Sequence, residues 1–261
     1  MFLKCKSDFL SKKQIYFNNT ILTMNKVMFC GGYAQIYSTN HKQLVVRTFI
    51  VPTLCHIEQA ETEFQIQHQL SEYFVIKLYH QIIEQERVFQ VLEKAHQVTL
   101  TTKNFTIQAA KIIEYLHQNN IIHRDIKYEN FIQLDNLLKI CDFSSATTKT
   151  YTKEDLLNNN IRNQLQNEIE LCTTEDYLPP EYINLLSGQN LTEKADVFTF
   201  GVMIYFLLFG QKPFENKQAA SNGKYKLPKQ VDEMYFSLLE MSLRKNQSER
   251  SSMTEILKIL K

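Results

Sequence analysis

The pattern of apolar residues changes once along this 261-residue chain, and that change constrains the fold. Residues 26–51 alternate apolar and polar side chains in two runs separated by a Gly-Gly pair, which predicts two strands joined by a turn. Strand-like runs return at 75–83 and 87–93, after one segment of helical period at 57–70. From residue 106 onward the helical period dominates. The chain is therefore predicted to have an α+β fold: a small sheet with one helix, then a mainly helical part.

Charge and apolar content exclude several classes of protein. The chain has 29 Lys and Arg against 28 Asp and Glu, so no net charge attracts it to nucleic acid or to an anionic membrane. The longest apolar run, residues 200–209, is shorter than the ~20 residues that span a bilayer, which predicts a buried core helix. Five scattered cysteines without a Cys-x-x-Cys pair favour a reduced compartment. Since the first residues also lack a signal-peptide pattern, we predict a cytoplasmic protein.

The strongest chemical signal is the stretch 121–130, IIHRDIKYEN, followed twelve residues after its last position by Asp142-Phe143-Ser144. Phosphoryl transfer from ATP needs a carboxylate near the acceptor hydroxyl and oxygen ligands for Mg²⁺. We predict that Asp125 is the base and that Asn130 and Asp142 bind the metal. Lys127, two residues beyond the base, is placed to steady the transferring phosphate. Its presence favours Ser/Thr over Tyr as the phosphate acceptor.

These motifs resemble those of the eukaryotic protein kinases, and the resemblance extends over nearly the whole chain. It implies a two-lobed kinase fold that uses ATP and Mg²⁺ to phosphorylate a protein substrate. The implied organisation is an N-terminal extension at 1–25 and a kinase domain at 26–261. That domain divides into an N-lobe at 26–93 and a C-lobe at 94–261, with an activation segment at 142–181.

The resemblance implies structural roles for four further residues: Glu181, Arg250, Asp196 and Thr174. Glu181 closes a Tyr-Leu-Pro-Pro-Glu segment similar to the family's APE motif, and Arg250 falls where an arginine pairs with that glutamate. Such a buried or half-buried pair costs far more to break than an exposed one. Asp196 lies near the start of the predicted buried helix. The hydroxyl of Thr174 is expected to contact the catalytic aspartate or lysine.

Within the kinases, the chain resembles the Numb-associated family, which includes adaptor-associated and cyclin-G-associated kinases. Five short segments carry this resemblance: 31–34, 141–147, 172–174, 184–188 and 192–196. The first reads Gly-Gly-Tyr-Ala in place of a three-glycine loop. The resemblance implies a role in endocytosis, with an endocytic clathrin adaptor subunit as the protein substrate.

The resemblance also assigns a nucleotide pocket. The residues predicted to bind ATP are Gly31, Gly32, Ala34, Ile36, Val45, Arg47, Glu63, Leu92, Glu93, Ala95 and Ile132. The glycines would let backbone amides approach the phosphates, while Ile36 and Val45 cover the adenine and Ile132 forms the floor. The backbone of 93–95 would bind adenine, with Leu92 at the back of the pocket.

Three positions depart from the kinase pattern. Arg47 replaces the lysine that bridges the ATP phosphates and a helix glutamate, here Glu63. An arginine could still pair with Glu63, but its bulkier planar group would displace the phosphates and slow transfer. Gln67 replaces a packed apolar residue, so the helix would either bury an unpaired amide and turn outward, or shift slightly to solvate it. Ser144 replaces a glycine without expected harm.

Three functions follow from these residues: an active Ser/Thr kinase, a nucleotide-binding pseudokinase or scaffold, and a small-molecule kinase of related fold. The intact catalytic motifs favour the first, whereas Arg47 and Gln67 favour the second. The third lacks support, because the Pro-Pro-Glu motif and the long loop are typical of enzymes that dock a protein. The polar residues 147–167 are predicted to form a long, partly helical loop. Within 147–174, a phosphate on a threonine would pair with Arg124 and order the segment, the candidates being Thr147, Thr148, Thr150, Thr152 and Thr173.

Overall fold

The chain forms two compact units, Met1–Gln97 and Val98–Lys261. The computed structural model describes residues 12–31, 34–51, 54–228 and 230–261, with the backbone alone at 54–56 and 171–172. Gly32, one of the predicted phosphate-binding glycines, lies outside the described residues.

An antiparallel sheet with one helix makes up the first unit. Its elements are β1 (Gln14–Phe17), β2 (Thr20–Cys30), β3 (Ala34–Thr39), β4 (Leu44–Ile50), α1 (Leu54–Gln69), β5 (Leu78–Glu84) and β6 (Arg87–Glu93). The strand order is β1-β2-β3-β4-β6-β5. Asn18 and Asn19 join β1 to β2 with φ of 46° and 58°, the left-handed conformation that a two-residue hairpin turn requires. The sheet therefore begins inside the segment predicted to be an N-terminal extension.

Alternating side chains give this sheet two apolar faces. On one face Ile15, Met24 and Tyr37 belong to a buried cluster that also contains Val46 of β4. On the other, Ala60 of α1 packs with the buried residues Val88 of β6 and Val51, which follows β4. Burial on both faces explains why the predicted strand runs contain so many apolar residues.

Helices dominate the second unit, as the sequence predicted. Its helices are α2 (Thr102–Gln118), α3 (Asn159–Cys172), α4 (Pro180–Ile183), α5 (Lys194–Phe209), α6 (Lys217–Asn222), α7 (Glu233–Ser242) and α8 (Met253–Ile259). Two strands, β7 (Phe131–Leu134) and β8 (Leu137–Ile140), pair as a hairpin. Helix α5 is buried on all sides from Ala195 to Tyr205 and ends at Gly210, whose φ is 68°. Residues 200–205 of the predicted apolar run are therefore buried in the core, whereas Phe206 is exposed and 207–209 are partly exposed. Together the two units have the predicted α+β content.

Helix α3 occupies the polar segment that the sequence predicted to be a partly helical loop. The Asn158 side chain caps its first turn by accepting hydrogen bonds from two backbone amides. Leu165 and Ile169, four residues apart, are buried on the same face against Tyr182 and other apolar residues. The helix forms because this narrow apolar stripe finds a partner surface, which the polar composition of the segment does not reveal.

Two further expectations concern the whole chain. In the described part of the chain, no helix combines the length and the apolar character that a membrane span needs. Cys141 forms no disulfide, whereas Cys30 is disulfide-bonded. The scattered cysteines had favoured a reduced compartment, and a disulfide at Cys30 does not support that expectation.

Candidate active site

Asp125, the aspartate predicted to be the base, lies in a hydrogen-bonded cluster of the second unit. Asp125 Oδ2 is 2.7 Å from Lys127 Nζ, and Asn130 Nδ2 donates to Asp125 Oδ2 at 3.1 Å and to the Asp125 carbonyl at 2.8 Å. The Thr174 hydroxyl donates to Asp125 Oδ1 at 2.6 Å and accepts from Lys127 Nζ at 2.8 Å. The structure therefore brings together four predicted site residues, and Thr174 makes both expected contacts.

Asp196 holds the backbone that carries this cluster. Its two carboxylate oxygens accept the backbone amides of His123 and Arg124, each at 2.8 Å, and His117 Nε2 lies 3.1 Å from Oδ2. Arg124 has a φ of 64°, a strained conformation for a residue with a side chain. Because Asp196 is fully buried on α5, its bonds to two successive amides fix the strained turn just before Asp125.

Asp142 reaches the same end of the β7–β8 hairpin as Asn130. Phe131 pairs with Ile140, and the Cys141 amide donates to the Asn130 carbonyl at 2.9 Å, so the residues flanking the hairpin are adjacent. Asp142 has a φ of 65°, and its Oδ1 accepts the Ser144 hydroxyl at 2.8 Å. Ser144, which stands where kinases have glycine, therefore restrains one carboxylate oxygen of Asp142.

Arg124 contacts the predicted activation segment directly. Its Nε donates to the Ser145 carbonyl, and its Nη1 lies 3.2 Å from Glu168 Oε2 on α3. The sequence predicted that a phosphothreonine would pair with Arg124, but it did not identify Glu168. A carboxylate thus already pairs with this guanidinium in the structure.

Glu181 and Arg250 form a fully buried pair. The Arg250 Nη1 and Nη2 atoms donate to the two Glu181 carboxylate oxygens at 2.6 and 2.7 Å.

Burial raises the pKa of the Tyr177 phenol to about 12, with further contributions from the charges of Glu129 and Asp125. Tyr177 therefore stays neutral at physiological pH.

Arg47 and Glu63 are paired in the first unit. Arg47 Nη1 donates to Glu63 Oε1 at 2.7 Å and also to Gln90 Oε1 at 3.1 Å. The Arg47 guanidinium carbon lies 4.9 Å from the centre of the Phe49 ring. Gln90 and Phe49 were not predicted as partners of Arg47, although a glutamine inside the apolar run of β6 is a sequence signal that could have identified Gln90.

Gln67 follows neither of the two expectations from sequence. It is buried, and its Nε2 donates to the Ile76 carbonyl at 2.7 Å. The amide is therefore neither buried unpaired nor solvated, because the chain after α1 supplies an acceptor. Gln67 therefore gives α1 no energetic reason to turn outward.

The other predicted nucleotide-pocket residues occupy strands and turns. In the first unit, Val45 of β4 lies directly opposite Leu92 of β6, and Ile36 of β3 lies opposite Arg47. The Gly31 amide donates to the Ala34 carbonyl at 2.8 Å and closes the turn between β2 and β3.

The remaining predicted pocket residues lie at or after the end of β6 and in β7. The Glu93 side chain accepts the Lys77 amide at 2.7 Å, and Ala95 follows two residues later. Ile132 lies in β7 of the second unit.

Residues 30–259 match the family model described as the protein kinase domain. An Aurora kinase of Schizosaccharomyces pombe is 27% identical over 248 residues, covering 87% of this chain and 63% of the relative. The Aurora/IPL1-related protein kinase 2 of Caenorhabditis elegans is 32% identical over 208 residues, covering 72% and 63% respectively. A probable serine/threonine-protein kinase PLK of Dictyostelium discoideum is 26% identical over 257 residues, covering 87% and 24%. The chain thus spans less than two thirds of each of these relatives.

These similarities correct the narrower resemblance. The relatives reported above are Aurora and PLK kinases, so the comparisons give no support to the Numb-associated subfamily or to an endocytic adaptor substrate. The segments that suggested that subfamily are short and lie mainly in loops, which vary more than the elements they connect. The broader match does not depend on them, because it runs from the glycine turn to the last helix. The chain belongs to the protein kinase domain family.

Proposed function

We propose that this chain transfers the γ-phosphate of ATP to serine or threonine hydroxyls of a protein substrate. The observation that carries the proposal is the cluster in which Asp125 is held by Lys127, Asn130 and Thr174. A carboxylate in this setting can orient the acceptor hydroxyl and accept its proton.

Each member of the cluster has a separate role in the proposed reaction. Asp125 aligns the acceptor hydroxyl for in-line attack, and Lys127 places a positive charge where negative charge develops on the transferring phosphate. The Thr174 hydroxyl links the two side chains and holds them at a fixed separation. The lysine two residues beyond the base supports Ser/Thr specificity.

Asn130 and Asp142 are suited to hold Mg²⁺. Because Asn130 Nδ2 donates twice to Asp125, the amide oxygen, which is the atom able to bind a cation, lies on the opposite edge of the amide. Asp142 adds a carboxylate at the same end of the hairpin. Among the described residues, no three His, Cys, Asp or Glu side chains form a metal cluster. This fits Mg²⁺, which takes one or two protein ligands together with phosphates and water and neutralises phosphate charge when bound.

We further propose that the first unit supplies the nucleotide contacts assigned from the sequence. Arg47, paired with Glu63, would bind the ATP phosphates, and Gly31 would bring backbone amides to them. The apolar side chains of Val45 and Leu92, opposite each other in the sheet, would contact adenine. A cytoplasmic location is part of the proposal, since ATP is available there.

A nucleotide-binding scaffold is the second candidate. The observation that favours it is Arg47, because an arginine at the lysine position can bind phosphates without aligning them for transfer. Intact Asp125, Asn130 and Asp142 favour the enzyme instead, since a scaffold does not need a positioned base.

Incubation of the purified chain with radiolabelled ATP, Mg²⁺ and a generic protein substrate tests the proposal. We expect label on serine or threonine, and we expect Asp125→Asn to lower it by about 10²–10⁴-fold while nucleotide binding continues. Nucleotide binding by the wild-type chain with transfer no greater than that of Asp125→Asn would overturn the kinase proposal and favour the scaffold.

A further inference from the structure

The guanidinium of Arg47 lies in a site built from three different elements. Glu63 comes from α1, Gln90 from β6, and Phe49 from the same face of β4 as Arg47 itself. The Glu63 and Gln90 side chains are buried, whereas the Arg47 side chain keeps 15% of its surface exposed. A carboxylate, an amide oxygen and an aromatic ring are three groups that a guanidinium binds well.

Gln90 is placed by the register of the sheet. It lies directly opposite Arg47 on one side and directly opposite Gln81 on the other. Its amide oxygen accepts from Arg47 Nη1 at 3.1 Å. Its amide nitrogen donates to Glu63 Oε2 at 3.2 Å and to Gln81 Oε1 at 2.9 Å. Both amide hydrogens and the oxygen are therefore used, and the side chain can hold only one orientation.

This arrangement fixes the ion pair from both sides. Gln90 binds Arg47 through its oxygen and Glu63 through its nitrogen, so it bridges the two partners of the pair. An apolar residue at position 90 would provide neither contact and would leave each partner with one fewer bond. A lysine at position 47 would lack the planar group that stacks on Phe49.

We propose that Gln90 is a positioning residue that adapts this kinase to arginine at position 47. It orients the Arg47 guanidinium toward the ATP phosphates without touching the nucleotide. The inference rests on the proposed function, because it assigns Arg47 to the phosphates. The sequence had predicted that Arg47 would displace the phosphates. We infer instead that Arg47 is accommodated, since position 47 has partners that bind a guanidinium.

Comparing ADP with adenosine tests this role, because only ADP carries the phosphates. We expect Gln90→Leu to weaken ADP binding about tenfold in calorimetric titration, the effect of one hydrogen bond to a charged group, and to change adenosine binding less than twofold. Gln90→Asn keeps the amide but shortens the side chain, and we expect the same selective loss from it should the leucine variant fail to fold. Gln65→Leu is the matched control, the same exchange at an exposed position of α1 outside this hydrogen-bonded group, and should leave both affinities within twofold.

A second background shows whether Gln90 acts through Arg47. We expect Arg47→Lys to weaken ADP binding on its own, and we expect Gln90→Leu to have less than a twofold further effect in the Arg47→Lys chain. Equal losses of ADP and adenosine affinity, or the same tenfold loss in both backgrounds, would overturn the inference while leaving the proposed function intact. A wild-type chain that binds neither ligand would overturn both.

Discussion

Replacing Arg250 by methionine should destabilise the second unit far more than an ordinary surface change. The Arg250 and Glu181 side chains are each 0% exposed and share two hydrogen bonds. Arg250 also donates to three backbone carbonyls, those of Arg244, Lys194 and Lys245. Methionine can fill much of the volume but provides none of these donors.

The expected cost follows from what is left behind. Without Arg250, Glu181 becomes a buried carboxylate with no counter-charge, a situation that costs about 3–5 kcal/mol. At roughly 2–4 °C of melting temperature per kcal/mol for a domain of this size, the midpoint should fall by about 6–20 °C. Circular dichroism during heating measures this shift.

The matched control is Arg244→Met, a change of the same residue type on the surface. Arg244 Nη2 lies 3.1 Å from Glu240 Oε2, with side chains 49% and 39% exposed. Such a pair contributes about 0.2–1 kcal/mol, so its loss should move the midpoint by no more than about 4 °C. Removing both charges with Arg250→Met and Glu181→Leu should recover much of the loss, because no charge then stays buried. Equal midpoints for Arg250→Met and Arg244→Met would refute the reasoning.

Three further predictions concern the proposed reaction. Asp125→Asn and Asp142→Asn should each lower labelled-phosphate transfer by about 10²–10⁴-fold with little change in melting temperature. Turnover at the wild-type rate in Asp142→Asn would contradict the assignment of Asp142 to Mg²⁺. Thr174→Val should lower turnover about tenfold because it removes two side-chain hydrogen bonds, whereas Thr174→Ser should keep most of the rate. Equal turnover in the valine and serine variants would show that the hydroxyl is dispensable. Glu168→Gln removes the carboxylate that pairs with Arg124, so a phosphothreonine should become the partner that Arg124 needs. Phosphatase treatment should therefore lower transfer by the variant more than transfer by the wild type, and an equal effect on both would refute this.

The catalytic cluster could be predicted because most of it is local in sequence. Asp125, Lys127 and Asn130 lie within six consecutive residues, and a single hairpin returns the chain to Asp142. Local spacing is enough when so few turns separate the residues. The fold class was equally readable, because the change from strand to helical period is a property of the sequence alone.

The partners of Arg47, Gln67 and Arg124 depend instead on tertiary packing. Gln90 is 43 residues from Arg47 and meets it only through strand register, and Glu168 is 44 residues from Arg124 on a helix that the sequence only partly predicted. The acceptor for Gln67 is a backbone carbonyl, which every residue carries and no sequence pattern distinguishes. Sequence therefore indicated the groups proposed to perform the chemistry, whereas the tertiary structure decided which neighbours bind Arg47, Gln67 and Arg124, because those contacts join segments far apart in the chain.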